Sequence, residues 1–193
     1  KNELLIKSDI STFGIPNGLK LLLGRHRGRS FTTIDFTHAF HQIRREDIAR
    51  VFPDVMEMRF NACFVTMAPG QIIPIGFPTS NFMFEIFVTR EIDPKCMEWE
   101  TQYRGTITRN SDNFLATWKK DTPDAFLALK KIFERFTVRL TPQEPRKWTD
   151  YIRFCGIILP RRGKPYLSNV KRQQILSRAR ERGSTALESA WKL

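Results

Sequence analysis

Cysteine is scarce in this sequence, with three residues among 193, and no two of them form a C-x-x-C pair. Cys63, Cys96 and Cys155 stand far apart, which excludes a zinc ribbon and a disulfide framework. The three histidines do not stand at metal-ligand spacing from these cysteines either. Unpaired thiols and the lack of a signal-peptide apolar segment predict an intracellular protein of a reducing compartment, whether nucleus, cytoplasm or mitochondrion.

Long apolar runs are also missing. No stretch of 18 apolar residues occurs and no basic helix carries an aromatic apolar face, so we predict no membrane contact. The K/R-G-F/Y-G/A-F-V-x-F/Y strand of RRM-type single-strand binders is absent as well. Acidic residues are in deficit, 20 against 32 Lys and Arg, which gives a net charge of +12. That excess predicts a polyanionic partner, most simply nucleic acid, although a merely basic protein is the alternative.

The residues that are present predict one domain of class α+β. The apolar content of 41% is enough for a buried core in a chain of this length. Strand-like and helix-like patterns alternate, which favours a small antiparallel sheet with its helices on one face. Ser80 is expected to cap the first of two core helices, and Ser168 is expected to cap the basic helix near the end of the chain. The predicted strands are 31–36, 104–109, 114–118 and 152–159, and the predicted core helices are 79–92 and 122–136.

Two acids interrupt strand-like patterns. Asp35 closes the strand FTTIDF, and Asp112 lies in the polar turn N-S-D-N. If these strands are neighbours, the two carboxylates meet at one edge of the sheet. Such a pair suits Mg²⁺, which takes few carboxylates together with waters and substrate phosphates. The alternative is ordinary turn chemistry, since Asn and Asp tolerate left-handed backbone and bond their own main chain.

Five stretches resemble, in order, the palm motifs of reverse transcriptases, the RNA-directed DNA polymerases of retroelements. FTTIDFTHAF is similar to motif A, an acid followed after four residues by an aromatic. PIGFPTSNFMFEIF resembles the Gly-x-x-x-Ser loop and helix of motif B, and TRNSDNFLAT resembles the hairpin of motif C. DAFLALKKIFERF is similar to the motif D helix, and YIRFCGIIL to the primer-grip hairpin. The resemblance covers about residues 31–160 and implies a right-hand polymerase palm with truncated fingers and a minimal thumb.

The resemblance implies two-metal nucleotidyl transfer from deoxynucleoside triphosphates, with Mg²⁺ or Mn²⁺ as cofactor and RNA or an RNA/DNA hybrid as partner. Asp35 and Asp112 would hold the metals, and Asn113 would complete the catalytic turn. Phe40 would exclude a ribose 2′-hydroxyl, and Gly76 would let the backbone approach the nucleotide. The other substrate-binding positions that the resemblance implies are Phe36, through its carbonyl, and Ser80, Phe154, Cys155 and Gly156.

The sequence departs from the family pattern at three positions of this site, the first being Asn110, which replaces the aromatic residue of motif C. Asn113 replaces the second acid of motif C, so metal affinity should fall because an amide oxygen carries no charge. Ile75 stands before Gly76, where many relatives have a glutamine. We therefore expect weak or lost polymerase activity. The alternative is a domesticated, catalytically inactive subunit that binds RNA among the other proteins of a ribonucleoprotein, such as a mitochondrial ribosome.

Basic residues flank the palm-like segment. We expect residual fingers at 1–30, the palm at 31–160 and a basic helix at 161–193 that is a thumb remnant or an RNA-binding tail. Phosphate contact is the functional interpretation of both flanks, and a solvated loop and a solvated helix face are the alternatives. The predicted nucleic-acid-binding residues are Arg25, Arg27, Arg29, Arg161, Arg162, Lys171, Arg172, Arg178, Arg180 and Arg182. Because the chain begins with Lys1 rather than Met, we expect it to be processed or partial.

Overall fold

A computed structural model describes residues 8–12, 18–53, 64–67, 70–119 and 124–182 of the chain. These residues form a mixed α/β fold with antiparallel sheets, as the sequence predicts. The helices are α1 (Gly18–Leu23), α2 (Arg45–Val51), α3 (Pro78–Glu91), α4 (Asp93–Tyr103), α5 (Asp124–Ile132) and α6 (Asn169–Arg182), and a 3-10 helix spans Ala39–Gln42. The strands are β1 (Ser30–Phe36), β2 (Val65–Met67), β3 (Gly70–Ile72), β4 (Thr106–Asn110), β5 (Asn113–Trp118), β6 (Val138–Lys147), β7 (Tyr151–Phe154), β8 (Ile157–Pro160) and β9 (Tyr166–Leu167).

The main sheet has the strand order β4-β5-β1-β6, so β1 lies in its interior between β5 and β6. Buried and half-buried residues alternate along β1 because its side chains point in turn to the two faces of the sheet. Ile34 faces Phe114 across one pairing and Leu140 across the other. This register puts the end of β1 beside the start of β5, which is where the two acids lie.

Helices α3, α4 and α5 share one face of the main sheet, where the larger core lies. Residues 83–88 of α3 are all buried: five of them are apolar, and the sixth, Glu85, forms an ion pair with Arg109. The Phe36 ring lies in a cluster of phenylalanines, 5.1 Å from the ring centre of Phe136 and 5.9 Å from that of Phe114. These ring contacts hold the end of β1 in place, because aromatic groups of this size dominate core packing.

The opposite face of the main sheet is covered by α1 and by a separate sheet with the order β7-β8-β9. The predicted fourth strand, 152–159, was therefore wrong as a member of the main sheet. Cys155 and Gly156, both at positive φ, fold that segment back into a tight hairpin of its own. The fourth strand of the main sheet is instead β6, which lies at one edge. Its Pro142 and Pro145 cannot donate to a ladder, which disguises the strand in the sequence.

Of the two predicted helix caps, one is confirmed and the other is wrong. Ser168 caps α6, since its hydroxyl accepts a hydrogen bond from the Lys171 amide at 3.2 Å. Ser80 does not cap α3, because the helix begins two residues earlier, at Pro78, with Phe77 as its N-cap. Proline is favourable there because it has no N–H to leave unpaired in the first turn. In the described part of the chain, no helix is long and apolar enough to cross a membrane.

Candidate active site

Asp35 and Asp112 come together at one end of the main sheet. Asp35 is in register with Asn113 across the β1–β5 pair. The Phe36 amide donates a hydrogen bond to the carbonyl oxygen of Asp112, at 3.3 Å. The turn between β4 and β5 consists of Ser111 and Asp112, with Ser111 at a positive φ of 56°. The main chains of Asp35 and Asp112 therefore lie next to each other at this end of the sheet.

The Asp112 carboxyl lies in an environment that disfavours its charge. Burial raises its pKa above the usual value, a main-chain hydrogen bond and Asn113 lower it, and the negative charge of Asp35 raises it further. The Asn113 Nδ2 donates to Asp112 Oδ1 at 2.8 Å, so the amide that replaces the second acid orients the first. A cation between the two carboxylates would relieve their repulsion.

Arg139 already provides one cation at this edge. Its guanidinium lies 3.6 Å from Asp35 Oδ2, and the two residues are in register across β1 and β6. The side chains of Arg139 and Asp35 are 71% and 40% exposed, so the pair is a weak one that solvent screens. Sequence analysis missed Arg139 because the proline-containing strand β6 was not predicted.

The Cys155–Gly156 turn of the small sheet lies near the acids. Burial raises the pKa of the Cys155 thiol to about 11; a hydrogen bond with Asn110 lowers it, and the charges of Asp112 and Asp35 raise it. A thiol with that pKa stays protonated and unreactive at neutral pH. The Lys171 side chain of α6 packs against Gly156, where an added Cβ would lie 2.9 Å from Lys171 Cγ. The tertiary structure therefore brings the predicted primer-holding turn and the basic helix to the acid pair.

The two aromatic residues of the motif A stretch differ in exposure. Phe36 is 3% exposed, so its ring belongs to the core and only its main chain faces the acid turn. Phe40 is half-buried, with its ring 5.5 Å from that of Phe84 in an edge contact.

The Gly76 loop is open, whereas Ser80 is not. Gly76 has a φ of 89°, and nothing lies within 4 Å of the position of a Cβ. Its neighbours Ile75 and Phe77 are 61% and 52% exposed. The buried Ser80 hydroxyl donates to the carbonyl oxygen of Pro74 at 2.5 Å, so it fastens the loop to the start of α3.

Three arginines of the RHRGR stretch point outward. Arg25, Arg27 and Arg29 are exposed, whereas His26 and Gly28 between them are buried against the main sheet. Arg25 donates to the carbonyl oxygen of Asp9 at 2.9 Å and lies 3.9 Å from Glu100. Arg27 donates to the carbonyl oxygen of His26 at 2.8 Å, so the guanidinium groups of Arg25 and Arg27 both have partners within the chain.

The basic residues near the C-terminal helix are in different environments. Arg161 lies over the Trp148 ring at 5.1 Å and donates to the carbonyl oxygen of Gly28 at 2.7 Å, so it ties two segments together. Arg162, Arg172 and Arg178 are exposed. The side chains of Arg180 and Arg182 lie outside the described residues, so their roles stay predictions.

A buried ionic network that sequence analysis missed lies beneath the acid turn. Arg109 of β4 is fully buried and binds both carboxylate oxygens of Asp93, at 2.9 Å each. It also donates to Glu85 at 2.5 Å and to the Thr89 hydroxyl at 3.1 Å. Glu85 and Thr89 are four residues apart on one face of α3, and Asp93 begins α4, so two helices supply the three partners. The four-residue spacing of Glu85, Thr89 and Asp93 was the signal available in the sequence. The NH1 of Arg109 also lies 3.4 Å from the Ser111 carbonyl, which links the network to the turn that carries Asp112.

The donor set limits what kind of metal site this can be. In the described ranges, no group of three or more His, Cys, Asp or Glu side chains is placed to hold an ion. Asp35 and Asp112 supply two carboxylates, which fits a Mg²⁺ ion that takes its remaining oxygens from water and substrate phosphates. The residues thus fit a substrate-assisted metal site rather than a protein cage.

Comparison with known proteins gives structural similarities only. No protein-family model matches the sequence, and no curated protein matches it. A telomerase of Candida albicans, solved with a fragment of telomeric RNA, is 10% identical with a TM-score of 0.49, over 75% of this chain and 32% of that one. A foamy viral protease-reverse transcriptase, solved with an RNA/DNA hybrid, is 16% identical with a TM-score of 0.47, over 82% and 20% of the two chains. Apo telomerase of Candida tropicalis is 9% identical with a TM-score of 0.48, over 78% and 38%.

The present chain therefore spans well under half the length of these structural neighbours. At identities of 16% or less and TM-scores below 0.5, the function has to be argued from the residues of this chain.

Proposed function

We propose that this chain is a reverse-transcriptase-like palm that binds RNA or an RNA/DNA hybrid and retains a weakened nucleotidyl-transfer site. The observation that carries the proposal is the position of Asp35 and Asp112, side by side at the ends of β1 and β5. The Cys155–Gly156 turn lies within electrostatic reach of both acids. With a net charge of +12, a nucleic acid is the expected substrate.

The proposed chemistry needs a pair of divalent cations, one of which would activate the primer hydroxyl while the other would neutralise charge on the leaving pyrophosphate. Asp35 and Asp112 provide the anionic oxygens that would hold them. Asn113 orients Asp112 through its 2.8 Å hydrogen bond but adds no charge. The half-buried ring of Phe40 would restrict the sugar and favour deoxynucleoside triphosphates.

Primer extension on an RNA template, with Mg²⁺ and separately with Mn²⁺, tests this proposal on the complete chain. We expect slow incorporation of deoxynucleotides that Asp35→Ala and Asp112→Ala each abolish. Glu98→Ala is the matched control, because Glu98 is an exposed acid of α4 that belongs to no part of the site. Extension that persists after both aspartate replacements would contradict the assignment of the acids.

A second candidate function is a catalytically inactive RNA-binding subunit of a ribonucleoprotein. The ion pair between Arg139 and Asp35 favours this candidate, because the Arg139 guanidinium already neutralises part of the charge that a metal ion would neutralise. The uncharged Asn113 favours it as well. No extension by the complete chain under either metal, together with salt-dependent RNA binding, would support this candidate over the enzyme.

A further inference from the structure

The outward face of the small sheet carries exposed aromatic rings. Tyr151 and Arg153 point outward along β7, whereas Ile152 and Phe154 between them are buried. Arg153 is in register with Ile158, and Ile158 with Tyr166, so the three lie in one row across the sheet. Directly opposed residues of antiparallel strands share a face, and Tyr151 joins them because side chains two residues apart do too.

Both tyrosines are accessible and line two adjoining recesses. Tyr151 is 50% exposed and Tyr166 is 55% exposed, whereas Ile158 between them is buried and lines the first recess with them. That recess has a volume of about 610 Å³ and extends to Val170 of α6. The second has a volume of about 670 Å³ and is also lined by both tyrosines. The accessible apolar surface of the first recess therefore consists of two aromatic rings together with Val170, which is 66% exposed.

The charges around these rings are mainly positive. Arg153 lies 5.5 Å from the centre of the Tyr151 ring, which restrains that ring on one side. The second recess adds Arg161 and Arg162, and Asp150 is the acid among its lining residues. Arg161 is half-buried and is held by both the Trp148 ring and the Gly28 carbonyl oxygen, whereas Arg153 and Arg162 are exposed, so these two are the cations best placed for a ligand.

Unpaired nucleotides fit this combination best. Each base offers a π-face to a tyrosine ring, and each phosphate offers a charge to an arginine, which is how non-specific single-strand sites are built. A duplex keeps its bases stacked on each other, so its bases cannot stack on the tyrosines. An apolar protein segment would remove water from the guanidinium groups without pairing them.

We propose that this face binds single-stranded nucleic acid, with bases stacked on Tyr151 and Tyr166 and phosphates held by Arg153 and Arg162. The first recess includes the Cys155–Gly156 turn, which lies near the acid pair, but stacking on the two tyrosines does not depend on catalysis by Asp35 or Asp112. It gives the protein a preference for single strands over duplexes that the basic surface alone would not create.

The test compares a single-stranded RNA of roughly 12 nucleotides with its duplex, using 2-aminopurine as a stacking probe. In Tyr151→Ala/Tyr166→Ala we expect the Kd for the single strand to rise about tenfold or more and the probe's quenching to be lost, since each stacked base contributes substantially to binding. The Kd for the duplex should not change. Tyr151→Phe/Tyr166→Phe should restore both the single-strand Kd and the quenching, because the rings remain.

Two controls separate stacking from other causes. Leu127→Ala removes a residue of α5 that is 63% exposed and should change neither Kd. Arg172→Gln/Arg178→Gln should weaken single strand and duplex alike and reduce the salt slope by about 0.7–0.9 per lost phosphate contact, with quenching retained. If the double alanine variant does not fold, Tyr166→Ala alone is measured.

Three results would overturn the proposal: no quenching by the wild-type protein, alanine variants that bind single strands as Leu127→Ala does, and equal weakening for single strand and duplex. Primer extension by the same preparations reports on the acid pair independently, so failure of one proposal is distinguishable from failure of the other.

Discussion

Arg109 holds both carboxylate oxygens of Asp93 at 2.9 Å, in a site where each side chain is at most 1% exposed. Glu85 completes the network from α3, and burial raises the pKa of Glu85 above its usual value against the opposing charge of Arg109. The network joins α3 and α4 to β4, directly below the Asp112 turn. It is the deepest ionic contact in the described part of the chain, and its integrity should govern the geometry of the turn.

Arg109→Met should lower the free energy of unfolding by about 3–5 kcal/mol, because it leaves two buried carboxylates without their partner. Arg109→Lys should recover only part of the loss, since a point charge cannot bind Asp93 in a bidentate way. Urea denaturation measures both. Arg25→Met, which removes a guanidinium 3.9 Å from Glu100 at the surface, is the control and should cost less than about 1 kcal/mol. Similar losses for Arg109→Met and Arg25→Met would contradict the role given to the network.

His26 should make stability depend on pH. Its ring nitrogens lie 2.9 Å from the hydroxyls of Thr117 and Thr108, and burial, with the charges of Arg25 and Arg27, lowers its pKa to about 3. The unfolded chain therefore takes up the proton first as pH falls. The contribution of the neutral His26 ring to the free energy of unfolding is full above about pH 6.5. It is lost towards pH 3, at up to about 1.4 kcal/mol per pH unit.

Urea denaturation between pH 7 and pH 4 checks this by comparing wild type with His26→Gln. The free energy of unfolding of His26→Gln should fall less steeply with falling pH. His41→Gln should follow wild type, because the His41 ring does not make this pair of contacts. The raised pKa values of Glu85, Glu100 and Asp112 make stability rise as pH falls, which is the opposite trend. Both proteins carry these three groups, so their contribution cancels in the difference between the two stabilities. Parallel curves for wild type and His26→Gln would show that the ring is not held neutral.

Gly28→Ala should destabilise the protein by about 1–3 kcal/mol through overpacking. A Cβ at this position would lie 2.5 Å from the Trp118 backbone nitrogen and 2.8 Å from the Thr117 carbonyl carbon, neither of which can move freely. Gly70→Ala is a matched control, because nothing lies within 4 Å of its Cβ position. Thermal melting distinguishes the two, and an equal Tm for both variants would mean that the loop does not approach β5 this closely.

Asp35→Asn should lower the pKa of Asp112, because the negative charge of Asp35 is one of the causes that raise it. Burial, the larger cause, remains in the variant. A carbon-detected NMR titration of the Asp112 carboxyl measures the change. Glu98→Gln, which removes a charge outside the site, should leave the titration unaltered. An unchanged Asp112 pKa in Asp35→Asn would mean that the two carboxylates do not interact.

Several features of this protein follow from local sequence alone. Asp35 ends an apolar strand and Asp112 lies in a polar turn because strand content and turn residues act over a few neighbouring positions. The cap of α6 by Ser168 is equally local, since the accepting hydroxyl and the Lys171 amide are three residues apart. These local signals identified the two acids, whereas only the resemblance to the ordered reverse-transcriptase motifs joined them with the Cys155–Gly156 turn into one candidate site.

Tertiary structure decided the rest, because the deciding contacts join residues distant in the chain. The strand that completes the main sheet is β6, at its edge. Its prolines hide its strand character in the sequence, although an edge position tolerates them. The pairing of β1 with β6 brought Arg139 to Asp35, about a hundred residues away in sequence. Burial of Arg109 likewise depended on two helices closing over β4, since only a site removed from water makes an arginine and two acids a structural unit rather than surface charges.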